Sequence, residues 1–339
     1  MARLGLFLVF YAVAAVGVPV FSGASEQPKE VENWFGKLGQ YKQKVTKLHF
    51  YFHDLRGKTS VLVAQANSSA TSPTYFGMTN IMDDPLTAGP EFTSKPVGRA
   101  QGLYSTSSME ELSLVCAMNF IFTDDKYNGS TITIFGNNPI LQQRRELPVI
   151  GGTGVFRMAR GVAMLNTIYF DVAGGNATPE DVKKWLEQRE NHKAKITKLH
   201  FYFHELRERT STLVAQANSS ATSPTFFGVT YVMDDPLTAG PEFTSEPVGR
   251  AQGLYASASK EEAGLVCVFN FVFTNDKYNG SSLSIFGYNP TLRQSRELVV
   301  VGGTGVFRMA RGVAVLSFVY FDVAGGNATV EYNVIVEHY

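Results

Sequence analysis

The chain has 339 residues, with 30 Lys and Arg balanced by 30 Asp and Glu, so its formal net charge is zero. It carries 25 Phe, 15 Tyr and 31 Gly but only two Cys, a mix that favours strands and turns. Without clustered basic residues there is nothing to neutralise a phosphate backbone, which excludes nucleic acid as a partner.

The N-terminus reads as a secretory signal over residues 1–24. Arg3 precedes an apolar run from Leu4 to Phe21, and the small residues Ser22, Gly23 and Ala24 follow. The run is near the lower length limit for a membrane span, but no positive stop-transfer cluster comes after it. The expectation is a secreted, extracellular chain that is free of the membrane once the signal is cleaved. Six N-x-S/T sequons fit secretion and are candidate glycosylation sites: Asn67, Asn128, Asn176, Asn218, Asn279 and Asn327.

Residues 25–45 are polar and charge-rich and are expected to be helical. Residues 46–178 then form a module that returns at a fixed offset as 197–329, with about three-quarters of positions matching over roughly 130 residues. Within the first copy, strand candidates run over 47–55, 61–66, 75–82, 99–106, 112–123, 130–135, 146–150 and 161–172. In the first of these, Leu48, Phe50 and Phe52 share one face. The segments NSSATSP, DDPLTAGP and GGTG between the candidates are read as turns. Many short strands without alternating helices predict an all-β fold, an antiparallel barrel or sandwich in each copy.

Between the copies, residues 179–196 read as a helical linker, because Thr178-Pro179-Glu180-Asp181 has the order of an N-cap, a first-turn Pro and first-turn acids. The second module extends over 197–339. Its end differs from that of the first. After Asn327-Ala-Thr the chain continues as VEYNVIVEHY, a strand-like tail, whereas the first copy passes straight into the linker. The first module is therefore expected to lack its closing strand.

The chemistry is sparse. Cys116 and Cys267 lie at matching positions in apolar runs and read as buried free thiols. Asp83-Asp84-Pro85 and its repeat at Asp234 read as turns rather than metal ligands. His49 and His53 would lie some 13 Å apart along a strand, so no metal or cofactor is expected. Period-two counting puts Asp54 on the face of Phe50 and Phe52, and the second copy keeps an acid there, Glu205. Such an acid is either paired at a barrel rim or held in a pocket. An aromatic-rich barrel carrying Asp54, Tyr104 and Arg145, repeated as Glu205, Tyr255 and Arg296, suits a small, flat, mostly apolar ligand.

Taken in order, FYFHDL, DDPLT, PVGRAQGLY, NGSTITIFG, RREL, GGTG and FRMARGVA resemble the dirigent proteins of plants. The resemblance implies two tandem eight-stranded antiparallel barrels of the allene-oxide-cyclase-like type, secretion to the cell wall space, and homo-oligomers. It also implies that the protein steers the coupling of phenoxy radicals in lignan and phenylpropanoid biosynthesis, with a separate laccase or peroxidase supplying the oxidation and no cofactor. Some relatives instead act as enzymes that cyclise or dehydrate quinone methides, and a non-catalytic defence or wall-binding role is a further alternative.

Carried over by motif, the resemblance makes Asp54, Arg145, Glu205 and Arg296 the catalytic candidates. It makes Phe50, Phe52, Tyr104 and Asn138, then Phe201, Phe203, Tyr255 and Asn289, the substrate-binding candidates. The chain departs from lignan-forming members at Asn138 and Asn289, where they carry Asp, and at Val155 and Val306, which are often acidic there. An amide cannot act as a general acid or base at neutral pH.

Overall fold

A computed structural model describes residues 44–142, 144–168, 194–322 and 325–339, together with Lys37. The expected signal sequence, Asn176 and nearly all of the two expected helical segments lie outside these residues. Where the linker's end is described, it is not helical: Lys195 and Ile196 already belong to the first strand of the second module.

The first copy forms β1 (Tyr51–Phe52), β2 (Ser60–Gln65), β3 (Met78–Thr87), β4 (Pro96–Thr106), β5 (Ser113–Phe122), β6 (Thr131–Pro139), β7 (Arg145–Thr153) and β8 (Gly161–Leu165). The second forms β9 (Lys195–Glu205), β10 (Ser211–Gln216), β11 (Val229–Thr238), β12 (Pro247–Ser257), β13 (Gly264–Phe273), β14 (Ser282–Pro290), β15 (Arg296–Gly303), β16 (Arg311–Phe321) and β17 (Ala328–His338).

In the second copy the strands run β11 to β17 in order, and β9 joins both ends by pairing with β17 and β11. This is a closed eight-stranded antiparallel barrel, with β10 added outside β11. Closure leaves no edge on these strands. Alternation fills the interior. Along β9, Phe201 and Phe203 are buried while Lys198 and His200 face water. They meet Phe271, Phe273, Leu283, Ile285, Leu298 and Val334 in one apolar core.

Among the described residues, the first copy has counterparts of β9 to β16 but none of β17, and it forms an open, curled sheet ordered β1-β3-β4-β5-β6-β7-β8, with β2 on β3. The difference traces to the tail. β9 pairs with β17 from Lys195 to Glu205, but with β11 at only two residues. Take β17 away and only the short pairing is left, which is what β1 keeps with β3. The strand expected over 47–55 accordingly shrinks to Tyr51–Phe52.

Two turn expectations are corrected. DDPLT completes β3, and Pro85 is tolerated there because on the β1 side its carbonyl oxygen, not its nitrogen, is used: it accepts from the His53 N–H at 3.2 Å. In GGTG, the first three residues belong to β7 and only Gly154 enters a 3-10 turn.

The copies pack on each other. Phe76 and Ala66 of the first form a buried cluster with Val214 and Val232 of the second. Glu146 pairs with Arg308, whose Nε donates to Oε2 at 3.0 Å, and Arg250 pairs with Glu110 at 2.9 Å.

Candidate functional site

Two elements deliver the central acid and phenol of the second barrel. Glu205 ends the inward face of β9. Tyr255 follows Gly253 on β12, and a Cβ on Gly253 would come within 2.3 Å of the Val268 carbonyl oxygen, so only glycine lets β12 lie this close to β13. The Tyr255 hydroxyl donates to Glu205 Oε1, which also accepts from Ser211 Oγ at 3.2 Å.

Sequence reasoning missed a second acid, Asp235. Asp234 and Asp235 on β11 are both fully buried, but Asp234 turns away from the barrel interior to Arg250 and to the Met109 N–H of the first copy, whereas Asp235 turns inward. Asp235 Oδ1 accepts from Thr210 Oγ1, and Oδ2 is buried with no hydrogen-bond partner. The signal was present. In the first copy, Met82, Asp84 and Leu86 alternate inward along β3, and period-two counting through a strand, rather than a turn, would have found them.

Burial raises the pKa of Glu205, with the Tyr255 hydrogen bond opposing it. Burial also pushes Asp235 well up, and the charge of Glu205 pushes it further. Two carboxyls brought together away from water do not both ionise readily, so each favours the protonated form of the other. Both acids also raise the pKa of the buried Tyr255 phenol, after burial itself.

Arg296 stands elsewhere in the same interior. Its guanidinium lies 4.0 Å from the centroid of the Phe318 ring, and Nη1 donates to Asn289 Oδ1 at 3.4 Å. Its Nε and Nη2 are buried without a partner. Its charge and that of Glu205 both act on Cys267 and Tyr332, which places the two polar groups around one thiol and one phenol. Burial pushes the Cys267 thiol up to about 12, which leaves it inert as a nucleophile. Phe201 and Phe203, named as substrate-binding candidates, pack against Tyr332 inside the apolar core. A cavity of about 370 Å³ opens beside Phe318, lined also by Leu292, Arg293 and Phe321; the carboxyl pair is not among its lining residues.

The first copy assembles the same groups differently. Asp54 is exposed and accepts from Ser60 Oγ at 2.6 Å, and Tyr104 donates to that Ser60 at 3.3 Å. Asp84 is buried, and burial raises its pKa to about 7. Arg145 donates to Thr167 Oγ1 at 2.5 Å, and Asn138 Nδ2 lies 3.8 Å from Cys116 Sγ. Phe50 packs edge-on to Phe120, but Phe52, expected to line a pocket, is 42% exposed. Among the described residues, no strand like β17 covers that end of β1.

Among the described residues, no cluster of three or more His, Cys, Asp or Glu is set to hold a metal. Asn67, Asn128, Asn218 and Asn279 are exposed, as glycan attachment requires, whereas Asn327 Oδ1 is engaged by the Arg207 N–H at 3.0 Å.

The profile of the Dirigent-like protein family matches residues 45–183 and again 196–337. The chain belongs to the dirigent family. It is 48% identical over 147 residues to Dirigent protein 21 of Arabidopsis thaliana, covering 42% of this chain and 78% of that one. It is 46% identical over 149 residues to Pterocarpan synthase 1 of Glycyrrhiza echinata, covering 43% of this chain and 79% of that one. A solved structure of a pterocarpan synthase dirigent protein aligns with 44% identity and a TM-score of 0.42, covering 44% of this chain and 87% of its own. Each relative thus matches about one module, and this dirigent protein carries two.

Proposed function

We propose that this secreted dirigent protein binds a phenol-derived quinone methide in its second barrel and sets the face on which the new bond forms by protonating the guest in place. The observation that carries the reading is the half-buried Glu205, hydrogen-bonded to Tyr255, next to the fully buried Asp235, with both acids shifted toward their protonated forms. One carboxyl donates its proton to the quinone methide oxygen, the ring regains aromaticity, and the exocyclic carbon becomes electron-poor. A hydroxyl of the same guest attacks that carbon, a C–O bond forms, and the hydroxyl proton returns to the carboxylate. The step is an isomerisation with no change of oxidation state. The unpartnered N–H groups of Arg296 suit a guest oxygen, and the rings of Phe318 and Phe321 beside the cavity suit its flat body. Similarity to pterocarpan synthases supports a bond-forming role of this kind.

A second reading is stereochemical guidance of phenoxy radical coupling, with a separate laccase or peroxidase as oxidant. The orphan Arg296 donors favour it, because they orient a phenolic oxygen without moving a proton. One experiment separates the two. Preformed racemic quinone methide bearing a free hydroxyl is supplied without oxidase, and coniferyl alcohol is supplied with one. Optically active cyclised product in the first arm, lost in Glu205→Gln, supports protonation. Enantiomeric excess confined to the second arm would leave only the guiding role.

A further inference from the structure

Arg296 is a buried charge that the protein leaves unanswered. It is 4% exposed, and among the described residues its one hydrogen bond runs from Nη1 to Asn289 Oδ1 at 3.4 Å. That partner is an amide, with no charge to set against the guanidinium. Nε and Nη2 are buried and donate to nothing. The groups whose charge would bear on Arg296 are Tyr332 and Cys267, and burial holds both in their neutral forms. A buried cation without a counter-charge is costly, and a guanidinium does not escape that cost by losing its proton.

The two idle donors are not scattered. Nε and Nη2 lie on one edge of the guanidinium and point the same way, so together they match the two oxygens of a carboxylate. A single phenol oxygen would have to serve both, with poorer geometry at each. The face of the same guanidinium is covered by the Phe318 ring, which also lines the cavity of about 370 Å³ together with Phe321. The charged residue lining that cavity is again an arginine, Arg293, and none of its lining residues is acidic. The first copy does not offer the same edge: Arg145 gives Nη2 to Thr167 Oγ1 at 2.5 Å, which leaves Nε alone idle.

We infer that Arg296 receives a carboxylate, so that the guest of the second barrel is an aromatic acid, a flat phenol ring whose carboxylate Nε and Nη2 hold as a fork. The inference rests on the reading of this interior as the guest site, and it holds whether the guest is then protonated or only oriented. Because Nε and Nη2 are sealed from water, the carboxylate reaches them by displacing a side chain, and Phe318, shared by the cavity and the arginine, is placed to move.

The test is calorimetric titration of the full mature chain at neutral pH with two probes that differ at one end, ferulic acid and coniferyl alcohol. The acid is expected to bind at least about tenfold tighter, as a charge-assisted fork should. Asn289→Asp gives Arg296 a carboxylate of the protein's own at nearly constant volume and should erase that preference. Arg296→Lys keeps the charge without the fork and should retain only part of it. Equal binding of acid and alcohol, or a preference unchanged in Asn289→Asp, would overturn the inference and leave the guest site standing. Failure of both probes to bind would overturn it together with the reading of the site.

Discussion

One methylene separates the two active-site candidates. Glu205 reaches the Tyr255 hydroxyl, whereas the shorter Asp54 stops at Ser60, which bridges to Tyr104. Tyr255 stabilises the ionised form of Glu205, so Tyr255→Phe removes a pKa-lowering contact and the acid's pKa rises further. Activity that needs the protonated acid falls as pH rises through that pKa. The alkaline limb of a pH–rate profile is therefore expected to move to higher pH in Tyr255→Phe, with kcat reduced about tenfold to a hundredfold. A limb that stays in place or moves the other way would remove Glu205 from the proton path. At this scale the sequence was half legible. Glu205, Tyr255 and Arg296 were readable from motif and alternation. Asp235 was hidden because a proline beside two acids imitates a turn, and only the strand on either side shows which acid points inward.

Among the elements, β17 decides how far the acid is enclosed: Glu205 is half-buried where Asp54 is exposed. It pins β9 along its length and supplies Tyr332 and Val334 to the core. Val334→Pro would place a ring and a missing N–H in a strand paired on both sides, at a cost of about 3 kcal/mol or more. Loss of the second barrel's cooperative melt and of its near-UV circular dichroism is expected, while an intact melt would show that β17 is dispensable. The tail VEYNVIVEHY was visible as an extra strand, because its alternation survives in isolation. The collapse of 47–55 to two residues was not, since that segment has the same pattern as β9. Its pairing depends on a strand elsewhere in the chain, which no local pattern records.

At the scale of the whole molecule, near-identical copies are unequal. Asp54→Asn is expected to leave rate and enantiomeric excess within about twofold of the parent, while Glu205→Gln costs about a hundredfold in rate. Chiral chromatography of products from both full-length variants checks this, and equal losses would show that the open sheet works as well as the closed barrel. The contact between the copies has one more consequence. Two surfaces held on one chain meet at an effective concentration on the order of millimolar, however thinly the protein is spread. Dilution cannot part them, so the exposed Asp54 and the more enclosed Glu205 always travel together.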